Sequence, residues 1–221
     1  MNLTYYSFPP FQIKPGCVTV MDTGSPKFYQ DVVVGLKNQD DTIHLSDDNF
    51  TTIPLKTGAQ WYGDPLLTVD LNHLFQHKLQ LQLKKVLADE QVVSLSDELR
   101  QLLVRILEGS YLMNVPLELP TSPDLTRLIK FSGIQLAPAV QQDPYGIIET
   151  LIRVQIELDN QRMIVLTNVS HYLSVNQLQS LARLVATTEL PILLIEFSSS
   201  RRNEVFQECD YHYIDSDFVL W

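Results

Sequence analysis

The sequence predicts an α/β protein, with a head domain formed by residues 1–61 and 161–221 and an inserted helical domain of residues 62–160. Two strand-like runs near the C-terminus, MIVLT and ILLIEF, are separated by a helical pattern, and a crossover of this kind joins parallel strands. The first 61 residues contain short β-branched runs between turns rich in Pro, Gly and Asp. Because strands lie at both ends of the chain and a helical period fills the middle, we expect one sheet assembled from both termini.

The N-terminal segment is predicted to contain strands joined by turns and a single helix. The strand-like runs include CVTVM, TIHLS and FTTIPL, at residues 17–21, 42–46 and 50–55. Ser25 is a suitable N-cap for the helix, and Pro26 suits its first position. The apolar side chains that share one face of this helix are Phe28, Val32, Val33 and Leu36.

Four helices are predicted in the middle of the chain. Apolar residues recur at about four-residue steps between residues 67 and 86, which is typical of a long amphipathic helix. A second apolar pattern covers residues 95–113. The third helix is expected between residues 122 and 133, and the fourth between residues 143 and 160.

The C-terminal third returns to strands around one well-marked helix. Ser174 and Gln177 have the spacing of a capping box, and Leu173 and Leu178 can form the hydrophobic staple beside it. The helix is expected to end near Thr188, before the strand ILLIEF begins. These signals define the β-α-β unit on which the fold class depends.

The composition narrows the range of functions. A chain of 221 residues with 45% apolar content can bury a sizeable core. The start lacks the basic segment and apolar core of a signal peptide, and the most apolar stretch, LPILLIEF, is too short to span a bilayer, so we expect a cytoplasmic protein without membrane contact. The formal net charge of −10, taken alone, argues against binding to nucleic acid.

The tetrapeptide Asp22-Thr23-Gly24-Ser25 matches the one that carries the catalytic aspartate of pepsin-like proteases. Those enzymes need two carboxylates that share a proton, and no second Asp-Thr/Ser-Gly occurs in the chain. Asp22 is therefore interpreted as the end of a strand, and the residues after it as the turn into the first helix.

The same turn has the strand-turn-helix layout of a phosphate-binding loop. A working loop requires GxxxxGK(S/T), whereas this turn offers one glycine, Gly24, then Ser25, and Lys27 without a following Ser or Thr. Asn168 stands where a magnesium-binding carboxylate is expected, and Glu196 is as compatible with a solvated strand-end charge as with a site residue. The head thus resembles a degenerate P-loop NTPase, and we expect neither enzymatic activity nor nucleotide binding.

The C-terminal third also resembles a known family. The run MIVLTNVSHYLSVNQLQSLARLVATTELPILLIEF, followed by a charged connection and CDYHYIDSDFVLW, is similar to the Csn-two family of type II-A CRISPR adaptation proteins. The start, MNLTYYSFPPFQIKPG, and the helical middle agree in length and order with the short form of that family. The likeness is specific in residues 163–221 and looser elsewhere.

The resemblance implies a function in spacer acquisition. Members of the family form ring-shaped homotetramers that bind the ends of linear double-stranded DNA without sequence specificity. They depend on calcium and act beside the CRISPR integrase proteins and the effector nuclease. They also resemble P-loop proteins that have lost nucleotide binding, so that Gly24, Ser25 and Lys27 would be the vestige of a phosphate loop in a non-catalytic protein.

The resemblance further implies calcium ligands in the segment that joins the second and third helices of the helical domain. That segment is LELPTSPDLTR here, which leaves Glu118 and Asp124 as its oxygen ligands. Calcium prefers six to eight oxygen ligands, several of them from carboxylates. We therefore expect a weaker site, or one completed by Glu149, Asp143 or a neighbouring chain. The alternative interpretation of Asp124 is an acid in the first turn of a helix.

A ring can be acidic outside and basic inside, so the net charge does not exclude DNA. Two other classes stay open: a divergent nucleotide hydrolase, against which the incomplete phosphate loop argues, and a protein-protein scaffold of the adaptation complex that binds no DNA.

The basic residues expected to line a DNA channel are Lys78, Lys84, Lys85, Arg105, Lys130, Arg201 and Arg202, with Arg100 and Arg127 as further candidates.

Overall fold

A computed structural model describes residues 1–6, 8–119, 124–137 and 143–221. The chain divides into two compact units, one formed by Met1–Leu71 with Ala137–Trp221 and the other by Asn72–Leu136. We call the first the α/β unit and the second the helical unit. The helical domain predicted over residues 62–160 stays a prediction, and the last of its predicted helices belongs to the α/β unit.

The α/β unit contains all the strands that the structure describes. Its first part comprises β1 (Asn2–Tyr5), β2 (Phe11–Gln12), β3 (Val18–Thr23), α1 (Pro26–Asn38), β4 (Ile43–Ser46), β5 (Thr52–Ile53), α2 (Leu55–Gly58), β6 (Ala59–Gly63) and α3 (Pro65–Thr68). The helical unit is formed by α4 (Leu71–Val86), α5 (Asp89–Gly109) and α6 (Leu125–Phe131). The second part of the α/β unit comprises α7 (Pro144–Glu157), β7 (Met163–Thr167), α8 (Val175–Ala186), β8 (Ile192–Phe197) and β9 (Asp210–Ile214).

A five-stranded parallel sheet forms the centre of the α/β unit and confirms the α/β part of the predicted fold class. Its strand order is β6-β7-β8-β3-β9, and each neighbouring pair is parallel. Because β3 lies between β8 and β9, the sheet joins both ends of the chain, as the sequence predicted. All residues of β3 and β7 are buried, which explains the nearly continuous apolar sequence of β7, whereas β3 also buries the polar residues Thr19, Asp22 and Thr23.

A second, antiparallel sheet has the order β2-β1-β4-β5. Buried side chains of this sheet, of the parallel sheet and of α1 form one hydrophobic core, with Leu3, Phe28 and Leu193 among its members. The core thus fixes α1 and the turn before it with respect to the carboxyl edge of the parallel sheet.

Local capping signals correctly predicted two helix starts in the α/β unit. The Ser25 hydroxyl accepts a hydrogen bond from the Phe28 N–H at the start of α1, and Ser174 and Gln177 form the predicted capping box of α8. An N-cap of this kind contributes about 1 kcal/mol to stability. The helix face predicted for α1 is buried at Phe28 and Val32.

The helical unit differs from the prediction at several helix ends. The long helix begins at Leu71 instead of residue 67, because Asp64 caps a separate short helix, α3, and Val69 has an extended backbone. The helix α5 begins at Asp89, six residues before the predicted start, since acidic residues suit a first turn. The predicted start of α6 at residues 122–123 lies outside the described residues, and Asp124 is its N-cap.

The helical unit is held together partly by polar contacts to α4. The Asn72 side chain accepts a hydrogen bond from the Leu136 N–H at 2.8 Å, and the Gln80 amide donates to the Ile134 carbonyl at 3.0 Å. No residue of α5 is buried. Within the described ranges, no helix is long and apolar enough to cross a bilayer.

Candidate functional site at the carboxyl edge of the parallel sheet

The carboxyl edge of the parallel sheet contains two buried carboxylates. Asp22 in β3 lies directly opposite Glu196 in the neighbouring strand β8. Both residues are 0% exposed, so the interpretation of Glu196 as a solvated strand-end charge is wrong. Because an isolated buried charge is strongly unfavourable, two carboxylates in this position require a positive partner or a bound proton.

Arg202 supplies the positive charge between these carboxylates. It lies in the connection between β8 and β9, and its side chain is 21% exposed. Its Nε donates to Oδ2 of Asp22 at 3.0 Å, and its Nη2 lies 3.8 Å from Oε2 of Glu196. One guanidinium therefore serves two carboxylates that belong to different strands.

Three hydroxyl groups complete the surroundings of the two acids. The Ser198 hydroxyl lies 2.9 Å from both carboxylate oxygens of Asp22, and the Tyr211 hydroxyl donates to Oδ2 of Asp22 at 2.9 Å. The Ser170 hydroxyl donates to Glu196 at 2.6 Å and accepts from Nη1 of Arg202 at 3.0 Å. We call the set Asp22, Ser170, Glu196, Ser198, Arg202 and Tyr211 the carboxyl-edge network.

The network shifts the titration of its members. Burial raises the pKa of Glu196, and the hydrogen bonds from Ser170 oppose that shift without cancelling it. Burial lowers the pKa of Arg202, but the hydrogen bond and charge of Asp22 outweigh it, so the net shift is upward. The guanidinium therefore stays charged, whereas the upward pKa shift of Glu196 favours its protonated, uncharged form.

The turn after Asp22 uses its own backbone donors within the chain. The Gly24 N–H donates to the Ile214 carbonyl at 2.9 Å, and the Ser25 N–H donates to the Thr23 hydroxyl at 3.0 Å. The Phe28 N–H is taken by the Ser25 hydroxyl. A phosphate-binding loop needs such amides free to face the phosphate.

The space beside Gly24 is closed by the C-terminal part of the chain. A Cβ atom at Gly24 would lie 2.9 Å from the Tyr213 hydroxyl and 3.3 Å from the Ser198 carbonyl. The third residue of the predicted vestigial loop, Lys27, has an exposed side chain in the first turn of α1. The turn therefore has the strand-turn-helix layout of a phosphate loop, but the chain itself occupies its amides and the space beside Gly24.

The predicted DNA-binding residues are divided between the two units of the chain. Arg202 belongs to the carboxyl-edge network, and Arg201 beside it is exposed and donates to Asn203 at 3.1 Å. The remaining five have exposed side chains in the helical unit, where they are Lys78, Lys84 and Lys85 of α4, Arg105 of α5 and Lys130 of α6.

The predicted calcium ligands have different local roles in the structure. Glu118 is exposed and follows α5, Asp124 caps α6, and Glu149 lies in α7 of the α/β unit. Asp143 accepts from the Gly146 N–H as the N-cap of α7. No group of three or more His, Cys, Asp or Glu residues suited to a metal ion occurs in the described part of the chain. Among the residues that the structure describes, these side chains thus do not fit a calcium site.

Sequence analysis missed the partners of the buried acids. The alternation of strand residues allowed Asp22 and Glu196 to be placed at strand ends, but Arg202 follows in a connection without a periodic pattern. The available signal was the pair of adjacent strand-end acids, since parallel strands bring such residues together at one edge.

These features define a class of protein: a mixed α/β chain with a parallel sheet whose carboxyl edge is filled by its own residues. The crystal structure of Stu0660 of Streptococcus thermophilus is similar to this chain with a TM-score of 0.58 and 11% identity, covering 97% of this chain and 74% of that one. The dimeric bacterial ABC transporter cassette MJ0796 is matched with a TM-score of 0.42 and 13% identity, over 94% of this chain and 84% of that one. No family model and no curated protein matches the sequence.

Proposed function

We propose that the chain is a Csn-two-like protein of type II-A CRISPR spacer acquisition, which binds double-stranded DNA as a non-catalytic ring. The observation that carries the proposal is the fold shared with Stu0660, a Csn-two protein, over 97% of this chain. This likeness in fold agrees with the sequence resemblance of residues 163–221 to that family. The strands of this segment, β7, β8 and β9, all belong to the parallel sheet. The CRISPR integrase proteins and the effector nuclease are the partners that the resemblance implies.

The carboxyl-edge network supports a head that is P-loop-like in layout but lacks nucleotide chemistry. In open α/β sheets, ligands bind at the carboxyl ends of the strands. Here that edge holds Arg202 against Asp22, and the Gly24 amide donates to the chain itself. A divergent hydrolase is the competing class. Calorimetry with magnesium-ATP distinguishes them: we expect no binding, whereas micromolar affinity abolished by Lys27→Ala would favour the hydrolase.

The distribution of charge supports the helical unit as the DNA-binding part. The α/β unit has nine Lys and Arg residues against nineteen Asp and Glu, whereas the helical unit has seven of each. The whole formal charge of −10 thus belongs to the α/β unit. Because phosphate contacts depend on basic side chains, the neutral unit with seven exposed cations is the better candidate.

Exposed apolar side chains in the helical unit support assembly into the homotetramer that the resemblance implies. Monomeric proteins rarely expose large contiguous apolar surfaces, so this unit is expected to be covered by other copies of the chain. The exposed apolar residues of α5 and of the segment after it include Leu102 (53%), Ile106 (63%), Tyr111 (78%), Leu112 (96%) and Met113 (58%).

Binding of a closed ring to linear DNA requires a free end. The test is a gel shift that compares a linear duplex with the same sequence as a covalently closed circle, at equal salt. We expect the linear form to bind without sequence preference and the circle to stay free. Equal binding of both forms would exclude threading, and binding of neither would favour the protein-protein scaffold. Calcium dependence, which the resemblance implies for the family, is not part of this proposal.

A further inference from the structure

Two of the carboxylates predicted as calcium ligands, Asp124 and Glu149, already have an arginine one helical turn away. Asp124 lies 3.5 Å from Nε of Arg127, three residues later. Oε1 of Glu149 accepts from Nε of Arg153 at 3.1 Å and from its Nη2 at 2.6 Å, four residues later. Side chains at these spacings are neighbours on a helix surface. Each acid therefore has a local cation supplied by the chain itself.

The oxygens of Asp124 have a further structural role. Its Oδ1 accepts from the Thr126 N–H at 2.9 Å, as the N-cap of α6. The Thr126 hydroxyl in turn accepts from Nζ of Lys84 at 3.0 Å. Two cationic side chains, those of Arg127 and Lys84, thus lie at or near the same helix start. A divalent cation approaching Asp124 meets like charge there.

For Asp124, the charge of the helical unit gives an independent argument. Its seven acidic and seven basic residues leave no excess of negative charge for a divalent ion to neutralise. The ten residues outside the described ranges contain no Asp and no Glu, so they cannot supply missing carboxylates. Calcium sites usually need several carboxylates among six to eight oxygen ligands.

We infer that Asp124 and Glu149, each paired with an arginine of its own helix, do not hold calcium in this chain, so that the fold of one chain does not require the ion. The inference departs from the calcium dependence that the family resemblance implies. It does not rest on DNA binding, because the guanidinium groups act on carboxylates of the protein itself. Removal of both arginines leaves Asp124 and Glu149 without their local cations, and these acids then attract a divalent cation more strongly.

The experiment measures calcium binding and calcium-induced stabilisation on the full chain without DNA. Chelator-treated protein is titrated with calcium chloride by calorimetry, and its melting temperature is recorded with calcium and with a calcium chelator. The wild type is expected to show no saturable binding below millimolar calcium and no shift in melting temperature. The double variant Arg127→Gln, Arg153→Gln is expected to bind calcium about tenfold more tightly and to be stabilised by it.

The matched control is Arg183→Gln, which breaks the exposed ion pair between Arg183 and Glu208 in the same manner but away from the predicted ligands. A calcium response in the double variant that clearly exceeds that of this control supports the inference. Micromolar calcium binding by the wild type would overturn it. So would a double variant whose calcium response equals that of the control. Single variants at either arginine retain one local cation and should respond less than the double variant.

Discussion

Nε of Arg202 donates a 3.0 Å hydrogen bond to Oδ2 of Asp22, a residue 180 positions earlier in the chain. The contact fixes the connection after β8 to the end of β3 at the carboxyl edge of the sheet. The same guanidinium lies over the ring of Phe206, at 5.6 Å from the ring centroid. Phe206 belongs to the same connection and is buried. The edge at which many α/β proteins bind ligands is thus closed by an internal ion pair.

Replacement of Arg202 by Met is expected to lower the free energy of unfolding by about 3–5 kcal/mol, because it leaves two buried carboxylates without their positive partner. Chemical denaturation measures the effect. The control Arg201→Met changes an exposed neighbour and should stay within about 0.5 kcal/mol of the wild type. A loss below about 1 kcal/mol for Arg202→Met would contradict the central place of this residue in the network.

The titration of Glu196 gives a prediction about pH. Burial raises its pKa above the ordinary value of 4.5, so the folded chain binds this proton more tightly than the unfolded chain. The stability that the bound proton contributes is present below pH 4.5 and is lost as pH rises through the folded pKa. Glu196→Gln keeps an uncharged side chain at all pH values.

The free energy of unfolding of Glu196→Gln minus that of the wild type should therefore increase as pH rises from 4 towards neutrality. Urea unfolding of both proteins at a series of pH values measures this difference. A difference that is constant with pH, or that decreases as pH rises, would contradict the raised pKa of Glu196 in the folded chain.

A methyl group at Gly24 tests how tightly the turn is closed. Gly24→Ala is expected to destabilise the protein by about 1–3 kcal/mol, since the added Cβ would lie 2.9 Å from the Tyr213 hydroxyl. The Tyr213→Phe background removes that hydroxyl, so the same substitution should cost less there. A double-mutant cycle gives the coupling between the two positions. Additive effects would mean that the tyrosine does not close the turn.

The sequence allowed the architecture to be predicted better than the site. Periodic apolar patterns and capping residues such as Ser25 and Ser174 act locally, so they predicted the sheet and two helix starts correctly. The partner of Asp22 lies 180 residues away in an irregular connection, and its choice depends on tertiary packing. The start of α5 was predicted six residues too late for a different reason. The first-turn signals at Asp89 are weak, and the clearer apolar period begins only after them.

The helical unit should carry the salt-dependent part of DNA binding. Lys78 and Lys85 are exposed and seven residues apart in α4, so they lie on one face of that helix. The double variant Lys78→Ala, Lys85→Ala is expected to bind all duplex sequences more weakly and to reduce the slope of log affinity against log salt by about two. The control Lys37→Ala, Lys56→Ala makes the same charge change in the acidic α/β unit, and its slope should match the wild type.

Retention on a linear duplex with blocked ends tests the central claim most directly. The protein is loaded on a long linear fragment at low salt, both ends are then blocked by bulky protein adducts, and salt is raised to a level that weakens phosphate contacts. A closed ring should stay on the blocked fragment and should leave an unblocked one by sliding off its ends. Equal, rapid loss from both fragments at high salt would contradict a DNA-encircling ring.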